Sequence, residues 1–246
     1  MKQYGLIGFP LGHSFSKKYF DQKFEQLGLT ATHHYGVYEL PSIKDFPALW
    51  SKHPQLEGVN VTIPHKIEVM SYLDEFDDSV AQINAVNVVR RKGGKLIGYN
   101  SDVYGFKASI CSWLSAAPSS AIILGSGGSS LAVQSGLRSL GIPYQIVSRG
   151  SKKGDLTYDQ LNQDPKILKH SQLLINTTPV GMFPAIEKAP QIPYEWLTAD
   201  HLCFDLIYNP EETLFMKKAK SAGAKVKNGW EMLKLQAEKS WEIWNS

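Results

Sequence analysis

Cysteine is scarce in this sequence. Cys111 and Cys203 are the only two among 246 residues, and they stand far apart. Isolated thiols lack the paired spacings of disulfide frameworks and zinc sites, so we expect buried thiols in a reducing compartment and no metal centre. The adjacent histidines His33 and His34 have no cysteine or carboxylate at a metal-ligand spacing either.

Excess charge and long apolar runs are also missing. A net charge of +3 is too small to indicate a nucleic acid or a membrane surface as partner. No apolar run approaches membrane-spanning length, and the chain opens on a strand-like run rather than a leader segment. We therefore expect a cytoplasmic protein whose partner is a small molecule, with no nucleic-acid or membrane partner. The length allows one or two domains with sizeable cores.

The most informative stretch is residues 121–132, AIILGSGGSSLA. Its apolar start predicts a buried strand, which breaks at glycines before an apolar helical pattern. Gly125 permits a tight turn, Gly127 lets the backbone approach a pyrophosphate, and the amides of the next helix attract phosphates. Ser130 stands where a third glycine is usual, and such turns also join strands to helices without any ligand. This stretch alone leaves both interpretations open.

The end of the following strand bears on which dinucleotide would bind. The strand predicted over 144–147 ends in Ser148 and Arg149, where an NAD-binding unit has an acidic residue for the ribose hydroxyls. A guanidinium instead forms paired hydrogen bonds with a phosphate, and Lys152 and Lys153 add positive charge. A solvated basic loop is the alternative. With the glycine loop before it, the pattern favours NADP over NAD.

Two serine hydroxyls lie near the start of the chain, between a predicted strand over 4–8 and a predicted helix over 17–27. Ser14 and Ser16 can contact a polyhydroxylated or carboxylated ligand. They can equally cap the helix, because serine is a preferred N-cap residue. The local sequence does not decide between the two.

Residues 58–66, GVNVTIPHK, begin as a strand in which Asn60 and Thr62 alternate with apolar residues. Pro64 ends the ladder and can open a helix, with Lys66 just inside the helix start. A lysine among these polar groups can transfer a proton in catalysis. The alternative is a solvated surface lysine.

Asp102 is a second candidate for this site. A helix is predicted over 70–76, then a hairpin with its turn at residues 91–95, and Asp102 follows the hairpin at the start of a helical pattern. It is either a helix cap or the carboxylate that orients Lys66. Farther along, three polar residues lie at the carboxyl ends of predicted strands, where such sheets bind ligands: Asn176, Thr177 and Tyr208.

Strands that alternate with helices predict an α/β fold with mostly parallel sheets. We expect two α/β domains with a cleft between them. Residues 1–103 would form a substrate-binding and catalytic domain around a mostly parallel sheet, completed by a C-terminal helix over 228–246. Residues 104–227 would form a Rossmann-like NADP-binding domain. Gln236, on the last helix, is either exposed or points into the cleft.

Together these segments resemble the shikimate dehydrogenase family over nearly the whole chain. A glycine loop alone would be weak evidence, but eight segments stand here in the family's order, including Asn-Val-Thr-x-Pro-x-Lys. They are HSFS at 13–16, NVTIPHK at 60–66, AVN at 85–87, GYNSD at 98–102 with Gly105 and Phe106, the loop 125–130, NTTPVGM at 176–182, DLIY at 205–208 with Pro210, and Gly229 with Met232, Leu233 and Gln236.

The resemblance implies reversible reduction of 3-dehydroshikimate to shikimate with NADPH, in chorismate and aromatic amino acid biosynthesis, by a monomer or homodimer. It implies Lys66 as the catalytic lysine and Asp102 as its partner. The substrate would be held by Ser14, Ser16, Thr62, Asn87, Asp102, Tyr208 and Gln236. NADP would be held by Gly125, Ser126, Gly127, Gly128, Ser129, Ser130, Ser148, Arg149, Lys153, Thr177, Leu206 and Gly229, with Asp78 as a further candidate and no metal.

Some residues depart from the family pattern. Lys17 replaces a proline, Ser101 replaces a threonine, and Gly150 replaces a threonine near the expected 2′-phosphate. The last change bears on how strongly NADP is preferred. Two alternatives follow: a quinate/shikimate dehydrogenase paralogue with broader substrate or NAD use, and a non-catalytic nucleotide-sensing protein. The second would be expected to lack Lys66 or Asp102.

Overall fold

The structure, a computed structural model, describes residues 1–12, 15–81, 83–150 and 154–246. Two of the predicted site residues, Ser14 and Lys153, lie outside these ranges. The described chain divides into two compact units. Residues 1–104 with 236–246 form the first unit, and residues 105–235 form the second.

The first unit is built on a six-stranded sheet. Its strands are β1 (Lys2–Gly8), β2 (His33–Glu39), β3 (Leu56–Val61), β4 (Glu75–Phe76), β5 (Val88–Lys92) and β6 (Lys95–Tyr99). They lie in the order β2-β1-β3-β5-β6-β4. The first three are parallel, and β5 runs antiparallel to both neighbours because it belongs to the predicted hairpin.

Two faces of this sheet bury different helices, as the alternation of side chains along a strand requires. One face packs against α1 (Phe15–Gln26) and the C-terminal part of α9 (Trp230–Asn245), around the buried rings of Tyr4, Tyr35 and Trp244. The opposite face packs against α2 (Phe46–Lys52). Helix α3 (Asp78–Ala81) also belongs to the first unit.

No α-helix begins at Pro64. Residues 63–67 form turns, and a 3₁₀ helix over Glu68–Tyr72 leads into β4, so both helices predicted between Pro64 and residue 76 are wrong. The physical reason lies in the hydrogen bonds of the segment. The carbonyl of Lys66, which a helix would pair within itself, accepts the amide of Val86 at 2.8 Å.

The second unit is an all-parallel six-stranded sheet, as a Rossmann-like domain predicts. Its strands are β7 (Ala121–Leu124), β8 (Tyr144–Ser148), β9 (Leu156–Thr157), β10 (Leu173–Asn176), β11 (Leu202–Asp205) and β12 (Lys225–Lys227). The order β12-β11-β10-β7-β8-β9 places β8 on one side of β7 and β10 on the other. Such a reversal opens a crevice at the carboxyl ends of the two central strands, where these sheets bind ligands.

Helices cover both faces of the second sheet. They are α4 (Asp102–Trp113), α5 (Gly128–Ser139), α6 (Tyr158–Gln163), α7 (Pro165–Lys169) and α8 (Leu214–Ser221), with the first residues of α9. Sequence analysis missed α6 and α7, although Thr157 and Asp164 cap them with their side chains. Among the helices of the described ranges, none is long and apolar enough to cross a bilayer.

Candidate active site

Lys66 and Asp102 form an ion pair in the first unit. The ammonium of Lys66 donates to Asp102 Oδ2 at 2.6 Å. The two side chains are only 19% and 8% exposed, so water screens the pair weakly. Asp102 lies in the first turn of α4, where the helix dipole favours a negative charge. Of the two interpretations of Asp102, the geometry therefore supports the partner of Lys66.

The helix cap is Asn100, which sequence analysis missed. Its Oδ1 accepts the amides of Asp102 at 2.9 Å and Val103 at 3.3 Å. Its Nδ2 donates to the carbonyl of Ala85 at 2.8 Å. An asparagine two residues before a helix was the available signal, because asparagine is a preferred N-cap residue. The cap fixes the backbone of Asp102 and leaves its carboxylate to Lys66.

Asn87 lies against the same segment. Its Nδ2 donates to the Ser101 hydroxyl at 3.0 Å, and its Oδ1 accepts the Ser101 amide at 2.7 Å. Thr62 follows β3, and its carbonyl accepts the amide of the residue before Lys66 at 3.0 Å. The fold thus brings four predicted site residues to one place, although they are spread over about forty positions: Thr62, Lys66, Asn87 and Asp102.

The other predicted substrate residues are divided between the units. Ser16, in the first turn of α1, and Gln236, on α9, are half-buried in the first unit. Burial raises the pKa of the Tyr35 phenol, and the Ser16 hydroxyl partly offsets that rise. Tyr208 lies in the second unit, three residues after β11, where burial raises the pKa of its phenol.

The glycine loop after β7 is anchored from β10. Gly125 has a φ of +104°, and a Cβ there would lie 2.7 Å from the Thr178 side chain, so only glycine fits without strain. The Thr177 hydroxyl donates to the carbonyl of Leu124 at 2.8 Å. Thr177 therefore holds the strand from which the loop departs.

The start of α5 presents backbone rather than side chains. Gly127 occupies the N-cap position, where no side chain caps the helix. A Cβ at Gly127 or Gly128 would meet no atom within 4 Å, so open space lies in front of this backbone. Ser126 and Ser129 flank it, whereas Ser130 is buried and accepts a hydrogen bond from Gln134 at 3.0 Å. Uncapped amides facing open space fit a phosphate group.

Arg149 stands at the same edge of the sheet, because β8 neighbours β7. Ser148, the last residue of β8, is buried and donates its hydroxyl to the carbonyl of Gly150 at 2.6 Å. The Arg149 side chain is exposed. Its charge acts on Tyr158, whose pKa burial raises and Arg149 lowers. The guanidinium is therefore exposed at this edge of the sheet.

Leu206 and Gly229, predicted for the nicotinamide end of the cofactor, are in contact. Any Cβ on Gly229 would collide with the Leu206 carbonyl, so the close approach requires glycine. The Gly229 amide donates to the carbonyl of Ile207 at 3.1 Å. Asp78, the further candidate, is exposed in the first turn of α3, in the first unit.

A buried carboxylate supports the segment that carries Leu206 and Tyr208. Asp205 Oδ1 accepts from Asn176 Nδ2 and from the Ile207 amide, each at 3.0 Å. Its Oδ2 accepts the Thr213 hydroxyl at 2.6 Å. Burial raises the pKa of Asp205 to about 6, against the opposing effect of these hydrogen bonds.

The two thiols differ in environment. Cys203 is buried, which raises its pKa to about 12, whereas Cys111 is exposed. The expectation that both are buried is therefore wrong for Cys111, which lies on α4. Within the described ranges no three His, Cys, Asp or Glu side chains cluster closely enough to hold a metal ion.

Comparison with known proteins identifies relatives. A family profile described as the shikimate dehydrogenase substrate binding domain matches residues 6–89. Shikimate dehydrogenase (NADP(+)) of Desulforamulus reducens is 36% identical, over 98% of this chain and 88% of its own length. A shikimate dehydrogenase solved in complex with NADP+ is 33% identical with a TM-score of 0.86, over 99% of this chain and 89% of that one.

A further structure shares the fold. Shikimate 5-dehydrogenase of Thermus thermophilus, solved with NADP(H) and shikimate, is 27% identical with a TM-score of 0.86. The match covers 99% of this chain and 93% of that one. Full-length similarity of this kind, together with the eight segments in their order, leads to one conclusion. The chain belongs to the shikimate dehydrogenase family.

Proposed function

We propose that this protein is an NADP-dependent shikimate dehydrogenase, which interconverts 3-dehydroshikimate and shikimate. The observation that carries the proposal is the shielded ion pair of Lys66 and Asp102, 2.6 Å apart. It lies in the unit that contains the match to the substrate binding domain. Because the residues expected for catalysis are both present, the site supports an enzymatic function, which a shared fold alone would not.

In this proposal the substrate is held by Ser14, Ser16, Thr62, Asn87, Asp102, Tyr208 and Gln236. Residues 1–103 with the helix over 228–246 would be the substrate-binding domain, and residues 104–227 the NADP-binding domain. The two compact units support this division, with boundaries close to these positions. Hydroxyl and amide groups dominate the set, as suits a ligand that carries several hydroxyls and a carboxylate.

Lys66 would move the proton. In the reducing direction its ammonium donates a proton from Nζ to the carbonyl oxygen of the substrate, and in the oxidising direction its neutral amine takes the hydroxyl proton. Asp102 keeps Nζ in one place by accepting its hydrogen bond, and its negative charge stabilises the ammonium when the proton returns. The cofactor supplies or accepts the hydride.

NADP would be held by the second unit. The amides at the start of α5, from Gly127 onward, would bind the pyrophosphate. Arg149 and Lys153 would bind the 2′-phosphate that distinguishes NADP from NAD, with Ser148 beside them. Leu206 and Gly229 would line the nicotinamide end. The remaining loop residues proposed for NADP are Gly125, Ser126, Gly128, Ser129, Ser130 and Thr177.

The cellular setting is part of the same proposal. The reaction belongs to the synthesis of chorismate and aromatic amino acids, and we place the enzyme in the cytoplasm. Free thiols support a reducing compartment. We expect a monomer or homodimer that works on its small-molecule substrate without a nucleic acid or a membrane.

The proposal is tested by mixing purified protein with shikimate and NADP+ and following nicotinamide reduction by absorbance. Turnover that depends on both compounds is expected. Lys66→Ala should lose most of this turnover. Its matched control is Lys52→Ala, a change at an exposed lysine at the end of α2. Absence of turnover from folded wild-type protein contradicts the proposal.

The non-catalytic alternative makes a different prediction. A nucleotide sensor on this fold would bind NADPH without turning over any polyol. Retention of both Lys66 and Asp102, in hydrogen-bonding contact, favours the enzyme. Calorimetric NADPH binding by protein that is inactive with shikimate and with quinate would instead favour the sensor.

A further inference from the structure

The side chain of His65 is buried directly before Lys66 in the chain. It is 1% exposed, and its ring nitrogen Nε2 lies 2.6 Å from the carbonyl oxygen of Leu40. A carbonyl oxygen only accepts hydrogen bonds, so Nε2 carries a hydrogen and donates it. The ring thus ties the segment that carries Lys66 to the residue that follows β2.

The acceptor of this hydrogen bond is itself held by the fold. The amide of Leu40 donates to the carbonyl of Gly8, the last residue of β1, at 3.0 Å. The Leu40 side chain is 7% exposed and belongs to the core that contains the buried residues of α2. Because both its backbone and its side chain are held, the Leu40 carbonyl is a fixed anchor for the imidazole.

Lys66 stands on a turn, where no helical ladder of hydrogen bonds holds its backbone. Residues 63–67 form turns between β3 and the following 3₁₀ helix. Before Lys66, the amide of His65 donates to the Thr62 carbonyl at 3.0 Å, and the His65 ring adds its own hydrogen bond. After it, the Lys66 carbonyl accepts the Val86 amide at 2.8 Å. The place of the Lys66 backbone therefore depends on a few hydrogen bonds, and the His65 side chain supplies one of them.

The other ring nitrogen of His65 contributes less. Nδ1 lies 3.4 Å from Oε2 of Glu68, and the Glu68 side chain is 59% exposed. A contact at this distance, open to water, is worth little. The hydrogen bond from Nε2 to the Leu40 carbonyl is therefore the one that holds the ring.

We infer that His65 is a positioning residue for Lys66: the hydrogen bond from its buried ring to the Leu40 carbonyl fixes the turn from which the Lys66 ammonium reaches Asp102. The inference rests on the proposed function, in which Lys66 transfers the proton. A displacement of about 1 Å at a reacting group costs roughly a hundred-fold in rate, so the backbone beneath the lysine side chain bears on kcat. Because its ring is buried against Leu40, His65 acts through Lys66.

His65→Leu tests this, because leucine fills the buried space but cannot donate to the Leu40 carbonyl. The kcat for shikimate oxidation is expected to fall about ten-fold, less than the loss for a full 1 Å displacement. The calorimetric Kd for NADP+ should change less than roughly two-fold, because the proposed nucleotide residues lie in the other unit. His65→Gln should keep kcat within about three-fold of wild type, since its amide donates from nearly the place of Nε2. A folded glutamine variant as slow as the leucine variant would overturn the inference.

His201→Leu is the matched control. His201 is also buried, and its Nε2 donates to a backbone carbonyl, that of Leu168, at 3.2 Å. It lies in the second unit and precedes β11, at the edge of the sheet opposite the carboxyl ends of the strands. Both leucine variants should unfold at lower urea concentration, but only His65→Leu should lose kcat. Equal kcat values in the two folded variants would leave His65 a structural role alone and overturn the inference.

A double-mutant cycle tests whether the effect passes through Lys66. In a Lys66→Ala background, His65→Leu should lower the residual kcat, measured at high protein concentration, by less than about two-fold, because the group that it positions is gone. An equal fall in kcat in both backgrounds overturns the inference.

His65→Asn covers the case in which His65→Leu does not fold. Its amide is too short to donate from the place of Nε2, so its kcat should lie at least about three-fold below that of His65→Gln. Equal kcat values in the two amide variants would overturn the inference in that case. Wild-type protein without shikimate turnover would refute the proposed function itself, which is a distinct result.

Discussion

The Lys66 ammonium meets the Asp102 carboxylate at 2.6 Å, while Asn100 takes over the capping of the helix on which Asp102 stands. The two tasks that a carboxylate at this position could perform are thus divided between two residues. Because Asn100 caps the helix, the Asp102 carboxylate is oriented toward Lys66, and its negative charge stabilises the Lys66 ammonium. The proposed proton transfer depends on this division.

Replacing Lys66 should abolish most turnover. Lys66→Ala is expected to lower kcat by about 10²- to 10⁴-fold, the usual contribution of one positioned acid or base. Calorimetric titration should find NADPH binding unchanged, because the nucleotide residues lie in the other unit. Turnover equal to that of Lys52→Ala would remove Lys66 from the mechanism.

Loss of the Asn100 cap should weaken both the fold and catalysis. Asn100→Ala removes the acceptor of two helix amides and the donor to the Ala85 carbonyl. We expect the free energy of unfolding to fall by about 1–2 kcal/mol and kcat to fall with the displacement of Asp102. Urea titration and steady-state kinetics measure the two effects. A large loss of stability with unchanged kcat would show that Asp102 keeps its position without the cap.

Arg149 should discriminate between the two dinucleotides. Arg149→Ala is expected to weaken NADPH binding by about 10- to 100-fold, the effect of lost charged hydrogen bonds to a phosphate. NADH, without that phosphate, should bind nearly as before. Arg138→Ala, which removes another arginine of the second unit, provides the control. Equal weakening of both dinucleotides would reject Arg149 as the 2′-phosphate residue.

Two glycines of one loop should respond differently to alanine. Gly125→Ala places a side chain on a residue whose φ is +104° and brings its Cβ against the Thr178 side chain. We therefore expect the free energy of unfolding to fall by about 1–3 kcal/mol. Gly127→Ala meets open space and should leave thermal unfolding nearly unchanged. Its methyl group should nevertheless weaken NADP+ binding, because it occupies the space proposed for the pyrophosphate. Unweakened NADP+ binding by Gly127→Ala would place the phosphates elsewhere.

Asp205 should make stability fall as pH rises. Its pKa is about 6 in the folded protein against 3.8 as a free group, so the folded state holds the proton more tightly. The tighter proton binding of folded Asp205 makes its full contribution to the free energy of unfolding below pH ~4. This contribution is lost as pH rises through ~6, and the free energy of unfolding falls by roughly 3 kcal/mol. Asp205→Asn keeps the Oδ1 acceptor and should remove this slope in urea titrations across that range. The exposed Asp200→Asn is the control, and an unchanged slope in Asp205→Asn would contradict the assignment.

The sequence predicts most of the second unit because its signals are local. The apolar run before Gly125 and the run ending at Asn176 are both buried parallel strands, and the glycine loop lies at their carboxyl ends. The α-helices predicted between Pro64 and residue 76 do not form, because tertiary contacts override the local sequence pattern there. Pro64 could open a helix, yet the Lys66 carbonyl pairs with Val86 from a distant segment.

Long-range side-chain pairs were beyond sequence reasoning. Tyr35 meets Asn60 only because both strands pair with β1 in a particular register. Ser240 joins them from the end of the chain. In contrast, the nearness of Lys66 to Asp102 was predicted as one of two alternatives, since each follows a strand of the first unit. Asn100 favours that alternative because it caps α4 and leaves the Asp102 carboxylate to Lys66; its residue type signals such a cap, but the sequence analysis missed it.

The most direct test of the account is the ratio of kcat/KM values for shikimate and quinate, each measured with NADP+ and with NAD+ on wild-type protein. The proposed site predicts the highest value for shikimate with NADP+, which should exceed that for shikimate with NAD+ by at least about ten-fold, the contribution of one charged contact. Comparable values for quinate or for NAD+ would contradict it and identify a dehydrogenase of broader specificity.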